Sequence, residues 1–210
     1  MPSRIGHVVS GILRARRLGI DLDNTIVDYA EAFARGAGTL GLAVPGGAGK
    51  NGLRDALRAG PGGEAAWQQL QAYAYGEGIV HARPFPGVER FVTQARSAGI
   101  AITIVSHKSQ FAAARPDVDL RAAASAWLAA HAQLGRLPVA YASSRAEKLA
   151  LIARSSAEIF IDDLAEVFDD PAFPPGVQRW LFAPHGAPGQ VRVDRVVQSW
   201  EELCDELAAR

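Results

Sequence analysis

Cysteine is almost missing from this chain: its 210 residues hold one, Cys204. No disulfide can form within the chain, and no Cys/His cluster has the spacing of a zinc site. A reducing compartment suits such a composition, and a cytoplasmic location is the expectation. Long hydrophobic runs are also lacking, since no apolar stretch approaches the roughly 20 residues a helix needs to cross a bilayer. The basic head MPSRIGHVVSGILRARR has only a short, polar-interrupted apolar run with no small-residue cleavage site after it, so it does not read as a secretory signal. Arg14, Arg16 and Arg17 are expected to be a solvated lead-in to the first strand. Net charge is absent as well, with Lys plus Arg at 22 and Asp plus Glu at 22. Nothing therefore draws the whole chain to nucleic acid or to an anionic membrane, and no basic stretch interleaved with aromatics marks a strand-binding groove. A charged ligand must be held locally, and a small molecule is the expected partner.

What is present is ordinary for a packed globular protein: 49% apolar and 21% charged residues. The length exceeds a typical domain by about half, which suits one compact domain carrying an insertion. Five short apolar runs read as buried strands: Leu18 to Leu22, Ile100 to Val105, Pro138 to Ala142, Glu158 to Ile161 and Gln178 to Phe182. Helical patterns alternate with them over Val88 to Ser97, Asp119 to Leu134, Ser144 to Ser155 and Trp200 to Ala209, the first two ending against Gly99 and Gly135. The rhythm predicts an α/β fold: a Rossmann-like parallel sheet of about five strands with helices on both faces.

One stretch breaks the alternation, because residues 23 to 99 separate the first strand from the second, far more than a crossover requires. Residues 36 to 63 hold ten of the 21 glycines and read as mobile loops around a short helix near Leu53 to Arg58. The run Glu64 to Tyr75 is a helix with Trp67, Leu70 and Ala74 on one face. The expected organisation is a small helical cap over residues 28–82, inserted after the first strand of a core made of residues 1–27 and 83–210.

Two strands end in acids. Ile20 and Leu22 alternate with Asp21 and Asp23, so a period of two places both carboxylates on one side as the first strand ends. The fourth strand runs Ile159-Phe160-Ile161 into Asp162-Asp163. Ionisable groups at the end of an apolar strand are costly unless compensated, and open parallel sheets bind ligands beyond the carboxyl ends of their strands. Four aspartates gathered there offer only oxygen and favour Mg²⁺ over zinc. The second strand ends in Ser106-His107-Lys108, whose hydroxyl, backbone N–H groups and positive charge suit a phosphate.

These segments together resemble the motifs of the haloacid dehalogenase-like phosphohydrolase superfamily. Asp21-Leu22-Asp23-Asn24-Thr25 is similar to its first motif, DxDxT at the end of an apolar strand. Ser106 after IV resembles the second, Lys148 on the helix after the third strand the third, and Asp162-Asp163 the fourth. The likeness covers residues 17–36 and 84–185, and leaves the cap and the substrate open. It implies that Asp21 is the nucleophile, forming an aspartyl-phosphate, and that Asp23 is the acid/base. It implies Mg²⁺ held by Asp21, the backbone carbonyl of Asp23, and one or both of Asp162 and Asp163, with Asp163 slightly favoured. It also implies that Ser106, the N–H of His107 and Lys148 hold the phosphoryl oxygens, with Thr25 fixing the loop beside them. Because dehalogenases and phosphonate-cleaving relatives lack the second acid, Asp23 argues for phosphate esters.

The expected activity is thus Mg²⁺-dependent hydrolysis of a small soluble phosphomonoester. The alternatives are a phosphomutase or phosphotransferase of the same superfamily, and a non-catalytic phosphate-ligand binding protein with this fold. GGAGKNG at residues 46–52 is not a phosphate-binding loop of the GxxxxGK[ST] kind, since Val44 and Asn51 stand where glycine and Ser or Thr are needed and no strand precedes it. Lys108 competes with Lys148 for the phosphate-site role but is the less favoured, and His185 reads as a surface residue. Gln68, Gln71, Tyr75, His81 and Arg83 form a group of candidate substrate contacts. Oligomeric state is open.

Overall fold

The computed structural model describes residues 11–43, 50–186, 189 and 191–209. In chain order the elements are β1 (Arg17–Ile20), β2 (Val27–Asp28), α1 (Ala30–Thr39), α2 (Lys50–Arg58), α3 (Gly63–Tyr75), β3 (Arg83–Pro84), α4 (Val88–Ser97) and β4 (Ala101–His107). They continue with β5 (Phe111–Ala112), β6 (Arg115–Asp119), α5 (Leu120–Ala130), β7 (Val139–Ala142), α6 (Arg145–Ser155), β8 (Ile159–Asp162), α7 (Ala165–Phe168), β9 (Gln178–Phe182), β10 (Arg195–Val197) and α8 (Trp200–Ala208). Six strands form one sheet in the order β10-β9-β8-β1-β4-β7, and every pairing in it is parallel. The architecture is the α/β, Rossmann-like one that the alternation predicts, with one strand more than the five read from the sequence. The extra strand, β10, is three residues long, too short for a period to register.

Side-chain alternation builds a core on each face of the sheet. In β8, Ile159 and Ile161 join one cluster while Phe160, between them, joins the other. In β4 the neighbours Ile104 and Val105 divide in the same way. The second cluster packs Leu149 and Ile152 of α6 and Phe168 of α7 against Phe160 and Leu181. The first includes Phe91 of α4 and Trp200 of α8, whose rings lie 5.0 Å apart, with Phe182 of β9 at 5.5 Å from Trp200. Such aromatic packing contributes about 1 kcal/mol per pair beyond the area it buries. Gly19 is dictated by crowding between strands: a Cβ there would stand 2.5 Å from the Phe160 ring.

The insertion after β1 is helical, as its second half predicts, but two expectations are corrected. The segment from residue 36 is not loop up to the helix near Leu53: α1 runs through Gly36 and Gly38 to Thr39. Gly36 is required there by α3, because a Cβ would meet the Tyr73 ring at 2.5 Å and Leu70 at 2.8 Å. Helix–helix proximity, not turn chemistry, accounts for that glycine. Residues 44–49 of the same stretch lie outside the described residues, as do residues 1–10 of the basic head. The helix expected over Asp119 to Leu134 stops at Ala130, and a separate 3-10 turn covers Leu134–Arg136.

Unanticipated too is the hairpin β5–β6, which leans on α3. The chain leaves and re-enters the core side by side, since Val27 pairs with Pro84 and Asp28 with Arg83. Arg14, Arg16 and Arg17 are exposed, as a solvated lead-in should be. No described helix is long and apolar enough to cross a membrane.

Candidate active site

The strand order reverses at β1: the chain passes from β1 to β4 and β7 on one side, then returns to β8 on the other. At such a switch point the loops beyond neighbouring strand ends diverge and leave a crevice. A cavity of about 300 Å³ lies there, with Asp21, Asp23, His107, Lys108, Lys148 and Asp163 in its lining. Its opposite wall comes from α2, α3 and the β5–β6 region, including Lys50, Gln68, Gln71, Tyr75, Phe111 and Ala112.

Local chemistry places each group. The Asp21 N–H donates to the Ile161 carbonyl at 2.8 Å, extending the β1–β8 ladder one residue past the strand. The chain then folds tightly back, with the N–H groups of Ile26 and Val27 both donating to the Leu22 carbonyl at 3.0 Å and Asn24 at φ 61°. Asparagine tolerates that left-handed conformation better than most residues. This loop is anchored from the far end of the chain, because the Trp200 indole N–H donates to the Thr25 carbonyl at 3.0 Å. Helix α6 begins with the Ser144 hydroxyl accepting from the Glu147 N–H at 3.1 Å, while the Glu147 carboxylate accepts from the Ser143 N–H at 2.7 Å. That reciprocal cap sets the first turn so that Lys148, though charged, points inward and is buried.

Lys148 is the hub of the acidic side. Its Nζ donates to Asp21 Oδ1 and to Asp162 Oδ2, each at 2.6 Å. The second oxygen of Asp162 accepts from the Leu164 N–H at 3.0 Å, so this fully buried carboxylate has both oxygens engaged. Asp163 is the fourth-strand acid that lines the cavity. Oxygens of Asp21, Asp162 and Asp163 lie within 4.8 Å of one another. Burial, aided by the charges of Asp162 and Asp23, pushes the Asp21 carboxyl up to about 7 in spite of Lys148. Burial together with Asp162 and Asp21 raises Asp163 well above the usual carboxylate range. Three crowded carboxylates that offer oxygen alone, with the ionised forms of Asp21 and Asp163 disfavoured, fit a hard divalent cation such as Mg²⁺.

Asp23 stands apart from that group. Its carboxylate pairs with Lys108 Nζ at 2.8 Å and accepts from the Tyr29 hydroxyl at 2.7 Å. Burial opposes ionisation of Asp23, but Lys108 and Tyr29 outweigh it and hold the group below the usual carboxylate range. The Lys108 ammonium also lies 4.7 Å from the centre of the Tyr75 ring, a favourable cation–π distance. His107 lines the cavity. Burial and then Lys148 lower its pKa, so it is neutral at pH 7.

The hydroxyls of Ser106 and Thr25 are buried with no hydrogen-bond partner among the described residues. Neither residue lines the cavity surface. An orphaned buried hydroxyl costs about 1–3 kcal/mol unless a ligand takes it up. Of the five cap-side candidates, Gln68, Gln71 and Tyr75 line the cavity, whereas His81 and Arg83 do not. Arg83 is exposed and bonds Glu31 at 3.0 Å. His185 is exposed, as expected.

Three contributors escaped the sequence reading: Tyr29, Trp200 and Lys50. A compositional signal pointed to Lys50. The chain has three lysines against nineteen arginines, and all three lysines line this one cavity.

No protein-family model matches the chain, and no curated protein matches it. Solved structures do. A haloacid dehalogenase-like family hydrolase of Streptococcus pneumoniae superimposes with TM-score 0.61 at 18% identity, covering 90% of this chain and 97% of its own. A HAD family hydrolase of Deinococcus radiodurans, solved with bound phosphate and sodium, gives 0.61 at 15% identity over 92% and 95% of the two chains. A HAD-hydrolase of Bacillus subtilis bound to magnesium gives 0.63 at 13% identity over 91% and 98%. The chain has the haloacid dehalogenase-like fold.

Proposed function

We propose that this protein is a Mg²⁺-dependent phosphatase that hydrolyses a small soluble phosphomonoester through an aspartyl-phosphate on Asp21. The observation that carries this reading is the convergence on Lys148 Nζ of Asp21 and Asp162 at 2.6 Å each, beside Asp163 in a cavity at the switch point of the sheet. In the first step an Asp21 carboxylate oxygen attacks phosphorus, the P–O bond to the alcohol breaks, and the proton of Asp23 passes to the leaving oxygen. In the second, Asp23 takes a proton from the attacking water, the P–O bond to Asp21 breaks, and inorganic phosphate leaves. The ion pair with Lys108 holds Asp23 ionised at rest, the form required for the second step, so the proton that Asp23 gives in the first is taken up from solvent as the substrate binds. Lys148 fixes the nucleophile's carboxylate in place.

Ser106, with its buried and otherwise unbonded hydroxyl, and the N–H of His107 are suited to receive phosphoryl oxygens. Thr25 belongs to the loop that holds Asp21 and Asp23. Asp21, Asp163 and the carbonyl of Asp23 would hold the metal, with Asp162 acting directly or through water. Bound Mg²⁺ supplies charge that offsets the repulsion between a carboxylate and an anionic phosphate. Residues 28–82 act as a cap over the core formed by residues 1–27 and 83–210. The cap excludes water and restricts access to small molecules.

The test is release of inorganic phosphate from a panel of small phosphomonoesters, with Mg²⁺ and with EDTA. Turnover that requires Mg²⁺ and falls to background in Asp21→Asn is the expected result. Transfer to a second alcohol in place of water would turn the assignment to a phosphotransferase.

A further inference from the structure

The three lysines of the cavity differ in one respect. Lys148 is paired with Asp21 and Asp162, and Lys108 with Asp23. Lys50 has no carboxylate within ion-pair distance among the described residues, and no acid occurs in residues 44–49 just before it. Its ammonium instead lies 5.6 Å from the centre of the Tyr75 ring and lines the cavity. Burial works against its charge, yet Tyr75, Asp163 and Asp23 more than offset this and keep it protonated. Beside it, Gln68, Gln71 and Tyr75 follow one another on α3 at spacings of three and four residues, so they share a face of that helix. This part of the wall presents neutral hydrogen-bonding groups around one unpaired cation. The adjoining wall, with Ala72, Phe111, Ala112 and Leu120, is apolar.

We propose that the substrate is a small phosphomonoester carrying a second anionic group, a carboxylate or a further phosphate, and that Lys50 holds that second group, assisted by Gln68 and Gln71. The proposal rests on the phosphatase reading and adds the substrate class to it. Lysine suits the task because its ammonium is a compact point charge on a flexible stem, able to meet an anion of either shape. The apolar wall accommodates a short carbon skeleton between the two anions.

The experiment compares phosphoglycolate and a short-chain bisphosphate with glycerol phosphate and para-nitrophenyl phosphate in the wild type, Lys50→Met and Lys50→Arg. The wild type should favour at least one of the two-anion substrates over glycerol phosphate by about tenfold or more in kcat/KM. Whichever of the two is favoured identifies the second anion. In Lys50→Met that preference should fall by about tenfold or more, mainly through KM, as expected for losing a charged hydrogen-bond partner. Lys50→Arg should restore most of it. Equal kcat/KM for all four compounds, or a preference unchanged in Lys50→Met, overturns the proposal.

A binding arm separates this failure from failure of the phosphatase reading. If no compound is hydrolysed, the thermal shifts given by phosphonoacetate, methylenebisphosphonate and methylphosphonate in the presence of Mg²⁺ still decide the matter, since the first two add a carboxylate or a second phosphonate to the third. A larger shift with either two-anion compound that is lost in Lys50→Met upholds the second-anion site. Equal or absent shifts refute it.

Discussion

Among single side chains, Lys148 carries the heaviest consequence. Among the described residues it is the one counter-charge bonded to two buried carboxylates, Asp21 and Asp162. Breaking a buried pair from one side leaves uncompensated charge in a poorly solvated place. Lys148→Met is therefore expected to cost about 3 kcal/mol in the metal-free protein, measured by urea denaturation with EDTA present. Added Mg²⁺ should return part of that loss, because the cation meets the same carboxylates. The sequence reading reached Lys148 through its place on the helix after the third strand. The Glu147 carboxylate, one residue earlier, accepts from the Ser143 N–H, and so helps to cap that helix and to aim its neighbour. Tyr29 was passed over because an aromatic six residues beyond Asp23 gives no sign that its hydroxyl turns back to that carboxylate.

At the level of elements, α8 has a part in the site although it lies at the opposite end of the chain from β1. Trp200 packs on Phe91 and Phe182 and donates its indole N–H to the carbonyl of Thr25. Trp200→Phe keeps an aromatic ring but removes that donor and part of the packing. It should destabilise the protein by about 2 kcal/mol, seen as a lower denaturation midpoint, and it should lower kcat by loosening the loop that holds Asp21 and Asp23. A stability loss with kcat unchanged would show that the bond serves the fold alone. Elements with a strong period were legible: α4 spans the residues read for it, and β9 likewise. Those that depend on a neighbour were not. Gly36 and Gly38 argue for loop until α3 is seen packed beside α1, and β6, reading RPDVD, has no apolar face of its own.

For the molecule as a whole, the cost of crowding acids at the crest should appear as stability gained on binding a cation. Ligand at a hundred times its Kd stabilises a fold by about 2.7 kcal/mol. For a chain of this size that corresponds to roughly 5–10 °C in Tm. Millimolar Mg²⁺ is accordingly expected to raise the melting temperature of the wild type, and Asp163→Asn to lose most of that rise while still folding. An equal rise in both proteins would remove Asp163 from the metal site. The same balance bears on the phosphatase reading, because an enzyme that pays for a strained acidic cluster recovers the cost only when its cation and substrate are in place.

Local pattern was enough to read the alternating α/β architecture, the strand ends that carry Asp21, Ser106 and Asp162, and the helix that carries Lys148. Period and terminal acids are properties of short segments, and they survive without knowledge of neighbours. Which acid faces which cation was set by packing across long separations. Lys108 answers Asp23, Lys148 answers Asp21 and Asp162, and Lys50 comes into the cavity from a glycine-rich stretch that resembles no phosphate-binding motif. Charge pairing depends on distances in space, and neither spacing along the chain nor composition encodes those distances until the sheet and its helical insertion have closed around one cavity.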